Sequence, residues 1–172
     1  MPTTIKSVIE DFGFFYSSLL NSEFTKSSHL KYWEEKDMLL LIRAYLLGCY
    51  GDSFKSEFQT PHPGSDTGKG RFDFLIDDVA VEFAVRTPNA SPSKLSARTC
   101  ESEIGKLQLY EGKSVLILFD FSKYPFNSDE LESYREFARA EGVHIKFPFK
   151  LAYFYSVKKE IYIIEKQINV YQ

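Results

Sequence analysis

The chain has 172 residues, enough for one domain around a single core and too few for two. Hydrophobic residues make up 44% and aromatic residues 16%, which excludes a disordered or fibrous chain, while a formal net charge of −3 excludes the global positive field of a non-specific nucleic-acid binder. Any nucleic-acid contact must therefore be local, and with only Cys49 and Cys100 neither a disulfide framework nor a cysteine zinc site is expected.

Residues 4–20 place Ile5, Val8, Ile9, Phe12, Phe15 and Leu19 at helical spacing, with Thr3 or Thr4 as cap. The polar stretch "NSEFTKSSH" separates this helix from a second, predicted from about Leu30 to Gly48. "FKSEFQT" alternates as a strand, and "PHPGSDTGKG" is turn chemistry. "GRFDFLIDDVAVEFAVR", residues 70–86, then reads as a hairpin turning at Asp77-Asp78. In its first strand Phe72, Phe74 and Ile76 are expected on one face, with Arg71 and Asp73 on the other. In its second strand Glu82, Ala84 and Arg86 share a face opposite Val81, Phe83 and Val85.

A loop through Ser91-Pro92 leads into a helix at about Cys100–Tyr110, followed by "KSVLILFDFS", whose unbroken apolar run predicts a central strand buried on both faces. Asn127 and Glu130 have capping-box spacing ahead of a helix ending near Gly142. The last segment predicts a hairpin tipped by Lys158-Lys159. The plan is a mixed α/β sheet covered by helices. His29, His62 and His144 lie far apart in no metal-ligand spacing, and no apolar run approaches the roughly 18 residues of a membrane span. A cytoplasmic protein with no membrane partner is expected.

The chemistry concentrates in the hairpin. Antiparallel pairing brings Asp73 and Glu82 to one side, and two carboxylates held close repel unless a cation lies between them or one is protonated. Oxygen donors of this kind suit Mg²⁺ or Mn²⁺. On the helical wheel of residues 30–48, Glu34 falls on the line of Met38, Leu41 and Tyr45 and is expected to point inward, with Glu35 nearer the boundary.

With a helix carrying an inward glutamate before it and a helix and buried strand after it, this hairpin resembles the core of the PD-(D/E)xK, or restriction-endonuclease-like, nuclease superfamily. The resemblance covers about residues 30–121, flanked by the N-terminal helix and a C-terminal helix and hairpin over 128–172 in one domain. It implies a restriction-endonuclease-like α/β fold and a Mg²⁺-dependent DNA endonuclease. Asp73 and Glu82 match the family's two metal-binding acids, and Glu34 its helical glutamate. Ala84 stands where the family has lysine. The resemblance implies that another amine takes that role, with Lys106, Lys94 and Lys69 as candidates. Arg86, Lys94 and Arg98 are expected to meet phosphates. The alternative is a nuclease-fold protein without activity that binds nucleic acid or a protein partner. A third reading is a small α/β interaction protein, whose aromatic C-terminal hairpin could pair in a homodimer although Lys158-Lys159 guards its edge.

Overall fold

The computed structural model describes residues 3–61, 69–140 and 147–169. Five α-helices are present among them: α1 (Ile5–Leu19), α2 (Ser22–Ser28), α3 (Glu35–Tyr50), α4 (Glu101–Leu109) and α5 (Ser128–Ala140). The strands are β1 (Phe54–Pro61), β2 (Lys69–Ile76), β3 (Val79–Arg86), β4 (Lys113–Asp120), β5 (Phe149–Val157) and β6 (Glu160–Ile168). They form one six-stranded mixed sheet in sequence order. β1, β2 and β3 run antiparallel in turn, β3, β4 and β5 are parallel, and β6 returns antiparallel to β5. A parallel step needs a crossover, and α4 and α5 provide the two.

Each face of the sheet has its own core. On one, Val8, Phe12 and Tyr16 of α1 and Met38, Ile42 and Leu46 of α3 cover Phe74, Val81, Phe83, Val85 and Phe119. Phe119 sits at the centre, with ring centroids of Phe83 and Phe154 at 5.1 and 5.3 Å in edge-to-face contact. On the other, Ile104 and Leu107 of α4 and Leu131 and Tyr134 of α5 cover Leu116, Leu118 and Leu151. β4, flanked by strands on both edges and helices on both faces, is therefore buried from its second residue onward, with an unbroken apolar run over 115–119.

Local signals set most boundaries. Thr4 caps α1 in a reciprocal box with Ser7. Asn127 and Glu130 do the same for α5, Glu130 N–H donating to Asn127 Oδ1 at 2.9 Å and Asn127 N–H to Glu130 Oε2 at 2.8 Å. Ser91 caps a short 3₁₀ turn, Pro92–Leu95, with the proline at its start. The β5–β6 hairpin turns on Lys158 and Lys159, at φ 51° and 71°. The predicted end of α5 at Gly142, His144, and the Pro/Gly-rich turn with His62 lie outside the described residues.

Three expectations are corrected. The polar stretch after α1 is not a simple linker but contains α2, capped by Asn21, whose side chain accepts from Glu23 N–H. The second predicted helix does not begin at Leu30: Leu30–Tyr32 is a 3₁₀ turn and α3 starts at Glu35. Glu34 is its N-cap, in extended conformation, and Asp37 Oδ2 accepts from Glu34 N–H at 2.9 Å. Finally, Phe72 does not share a face with Phe74 and Ile76. Phe72 packs on the α4 side and the other two on the α1/α3 side. Among the described residues, no helix is long and apolar enough to cross a membrane.

Candidate functional site

The change of face between Phe72 and Phe74 marks a bend at Asp73. Opposite it, β1 pairs Ser56 with Phe74 and Phe58 with Phe72, and the intervening Glu57 has φ 51°. A left-handed glutamate within a strand is strained and breaks the pleat of both strands at one point. The β2–β3 ladder runs only from Ile76↔Val79 to Phe74↔Val81, whereas β2 stays paired to β1 as far as Lys69. A wedge therefore opens between β2 and β3, with Asp73 at its apex.

The open edge of β3 is met by carboxylates. Phe83 N–H donates to Asp73 Oδ2 at 2.9 Å, and the Val85 backbone N–H faces Glu35 at the start of α3. Side-chain oxygens thus replace the strand carbonyls that would normally satisfy these donors. Glu82 projects from β3 towards α4, almost wholly buried. Lys106 closes the wedge from above: its Nζ donates to Glu82 Oε2 at 2.7 Å and to the Arg71 carbonyl of β2 at 3.0 Å.

One ammonium does not balance these acids. Burial pushes the Glu82 carboxyl well above the usual range, the neighbouring Asp73 adds to this, and Lys106 opposes it. Asp73 is raised by burial, against the Phe83 N–H bond and Lys106. Glu35 is raised by burial and then by Asp73, with Lys94 pulling it down. Three acids, each disfavoured as an anion, converge here with Glu103 as a further negative neighbour. Glu82 Oε1 is buried and has no hydrogen-bond donor. A buried carboxyl oxygen without a partner is accommodated by protonation of the group or by a cation beside it.

The sequence-predicted residues separate into two groups. Asp73, Glu82 and Lys106 are brought together. Glu34 is not: its side chain is 69% exposed and pairs with Lys36 at 2.8 Å, because a cap residue leaves the helical wheel that placed it inside. Glu35, one residue on, occupies the inward position, and the capping spacing of Glu34 and Asp37 was the signal that would have shifted the wheel. Arg86 is not available to a phosphate. It is 1% exposed and forms a two-pronged ion pair with Asp120, its Nη2 also donating to the Tyr124 carbonyl at 2.9 Å. Tyr153 Oη and Ser122 N–H donate to the same Asp120 carboxylate, so this cluster ties the carboxyl ends of three parallel strands together. Lys94 is exposed beside Glu35, and Arg98 is exposed in the turn before α4. The side chain of Lys69 lies outside the described residues.

A surface hollow of about 340 Å³ lies at the Glu35 edge of this site, lined by Trp33, Glu34, Glu35, Lys36, Val85 and Lys94 among others; Asp73, Glu82 and Lys106 are not in its lining. Among the described residues, no three His, Cys, Asp or Glu side chains stand close enough together to hold a metal ion by themselves. Comparison with known protein families, characterised proteins and solved structures finds no match.

Proposed function

We propose that the chain is a divalent-cation-dependent nuclease of restriction-endonuclease-like fold, hydrolysing phosphodiester bonds at Asp73, Glu82, Glu35 and Lys106. The observation that carries this reading is the Lys106–Glu82 contact, which supplies from α4 the amine that Ala84 lacks. The order of three antiparallel strands, a crossover helix and a parallel strand, with an acid at a bend, supports it further.

The residues suit Mg²⁺ or Mn²⁺. Mg²⁺ is commonly held by one or two carboxylates, with water and substrate phosphate completing its shell, so two acids suffice. Glu82 Oε1 and the second oxygen of Asp73 are the donors on this chain, and Glu35 adds charge beside them. When bound, such a cation polarises a phosphoryl oxygen and lowers the pKa of an attacking water. Lys106 has three N–H donors, two of which go to Glu82 and Arg71; the third is left to orient that water. The Phe83–Asp73 bond fixes the Asp73 carboxylate in place before substrate arrives.

The test is incubation of the full chain with supercoiled plasmid and with single-stranded DNA in Mg²⁺ or Mn²⁺. Metal-dependent nicking that Asp73→Ala and Glu82→Ala abolish is expected. No nicking with either metal, or equal nicking by Asp73→Ala, overturns the reading. A second reading is favoured by the same lysine: bound to β2 and β3 at once, Lys106 braces the wedge, as a nuclease fold without activity would require. In that case Ala84→Lys creates cleavage where the native chain has none.

A further inference from the structure

A second hollow, of about 320 Å³, has Ala90 in common with the one beside Glu35, and Asn89, Lys123 and Tyr124 are among its lining residues. Asn89 Nδ2 donates to the Lys31 carbonyl at 3.4 Å, joining the loop to the 3₁₀ turn that carries Tyr32. Tyr124 is 83% exposed and Tyr32 is 71% exposed, the two most exposed aromatic rings among the described residues.

Exposed rings on a loose loop would signify little, but both backbones are held. The Tyr124 carbonyl accepts from buried Arg86, and its N–H donates to Ser122 Oγ at 3.3 Å. Tyr32 N–H donates to the His29 carbonyl at 2.9 Å, and the next residue, Trp33, is anchored by its indole N–H on the Ser28 carbonyl at 2.7 Å. Lys31 Nζ lies 4.8 Å from the Tyr32 ring centre. Lys94 lines the first hollow together with Glu34, Glu35 and Lys36, the last paired to Glu34, and Lys123 lines the second; among the described residues no carboxylate forms an ion pair with Lys31, Lys94 or Lys123.

We infer that this face binds single-stranded nucleic acid, with bases stacked on Tyr124 and Tyr32 and the backbone held by Lys94, Lys123 and Lys31 beside Glu35, at the edge of the acids. The inference rests on the nuclease reading of that site. A ring standing clear of the surface stacks only on a base whose face is uncovered, and duplex bases are covered by their neighbours. Three lysines without an ion-pair partner among the described residues give this face local positive charge for a phosphate chain, in a protein whose net charge is −3.

The test is fluorescence anisotropy of the full chain with a labelled oligothymidylate, and with its duplex, in EDTA so that no cleavage intervenes. The single strand is expected to bind at least about tenfold more tightly than the duplex, and Tyr124→Ala and Tyr32→Ala each to weaken it by about tenfold. Tyr124→Phe should bind as the native chain does, since stacking needs only the ring. Circular dichroism melting checks that the variants fold. Equal affinity for duplex, unchanged affinity in both alanine variants, or no binding overturns the inference. Cleavage that persists with unchanged affinity in those variants overturns the strand path and leaves the nuclease reading. Tyrosine-dependent binding by a chain that cleaves nothing in Mg²⁺ or Mn²⁺ does the reverse.

Discussion

Lys106 of α4 and Glu82 of β3 are joined by a 2.7 Å ion pair, although 24 residues separate them in sequence. The carboxylate is almost wholly buried and the ammonium is partly exposed, so the lysine reaches in from the rim of the site. An ion pair of this kind both neutralises an acid and presents an amine to whatever approaches it. Ala84, two residues beyond Glu82, contributes a methyl group to the apolar layer under α4.

If Lys106 is the working amine, Lys106→Met lowers metal-dependent cleavage by about 10²–10⁴-fold, the usual size of an acid–base or water-orienting contribution. Ala84→Lys in the Lys106→Met background recovers part of that activity, because the new amine rises from the strand on the side of Glu82. Plasmid nicking rates for the single and double variants check both. Full activity in Lys106→Met removes the lysine from the mechanism.

The raised carboxyl of Glu35 carries a stability cost with a definite pH dependence. An acid whose folded pKa lies above its unfolded value binds its proton more tightly when folded. The penalty is absent below the unfolded value, about 4.3, develops as pH rises from there through the folded pKa, and is complete above it. Glu35→Gln keeps an acceptor for the Val85 N–H and removes the charge. Its Tm is expected to exceed that of the native chain by roughly 2–4 °C at pH 7–8, equivalent to about 1 kcal/mol for a chain of this size, with the gap closing near pH 4. Calorimetry at both pH values checks this, and a lower Tm at pH 8 contradicts it.

The Arg86–Asp120 pair behaves in the opposite sense. Both partners are buried, and Tyr153 Oη also donates to Asp120. Asp120→Ala strands the guanidinium and is expected to cost about 3–5 kcal/mol in urea denaturation. Adding Arg86→Met to it should recover much of that loss, since the uncompensated charge disappears. A double variant as unstable as Asp120→Ala alone would show that packing, rather than charge, sets the cost.

The β5–β6 turn holds two lysines at positive φ, where a side chain is strained and Asn-Gly is the favoured pair. Lys158→Asn with Lys159→Gly is expected to raise stability by about 1 kcal/mol, read as a urea midpoint shift with unchanged m-value. No shift would mean that the turn conformation is not limiting.

Signals confined to a few neighbouring residues were legible in the sequence. Thr4, Ser91-Pro92 and Asn127 with Glu130 mark helix starts by satisfying backbone donors close to them, and the apolar run at 115–119 reads as a strand covered on both faces. Asp73 and Glu82 were legible as a pair from the order of the hairpin, and Lys106 only as one of three candidate amines beside Lys94 and Lys69; its contact with Glu82 belongs to the tertiary structure. Glu34 was misplaced because one cap moved the start of α3, and the inward position passed to Glu35. Arg86 was read from strand parity as a residue free to meet phosphate, and nothing adjacent to it reveals that Asp120, on the neighbouring parallel strand, takes its charge. The bend at Asp73 likewise depends on Glu57 in another strand, and alternation within β2 alone predicts a flat pleat. Sequence therefore determined the elements and the chemical types at the site. Only the tertiary structure decided which carboxylates share it and which cation each one meets, because ion pairing and strand splaying are set by groups distant in the chain.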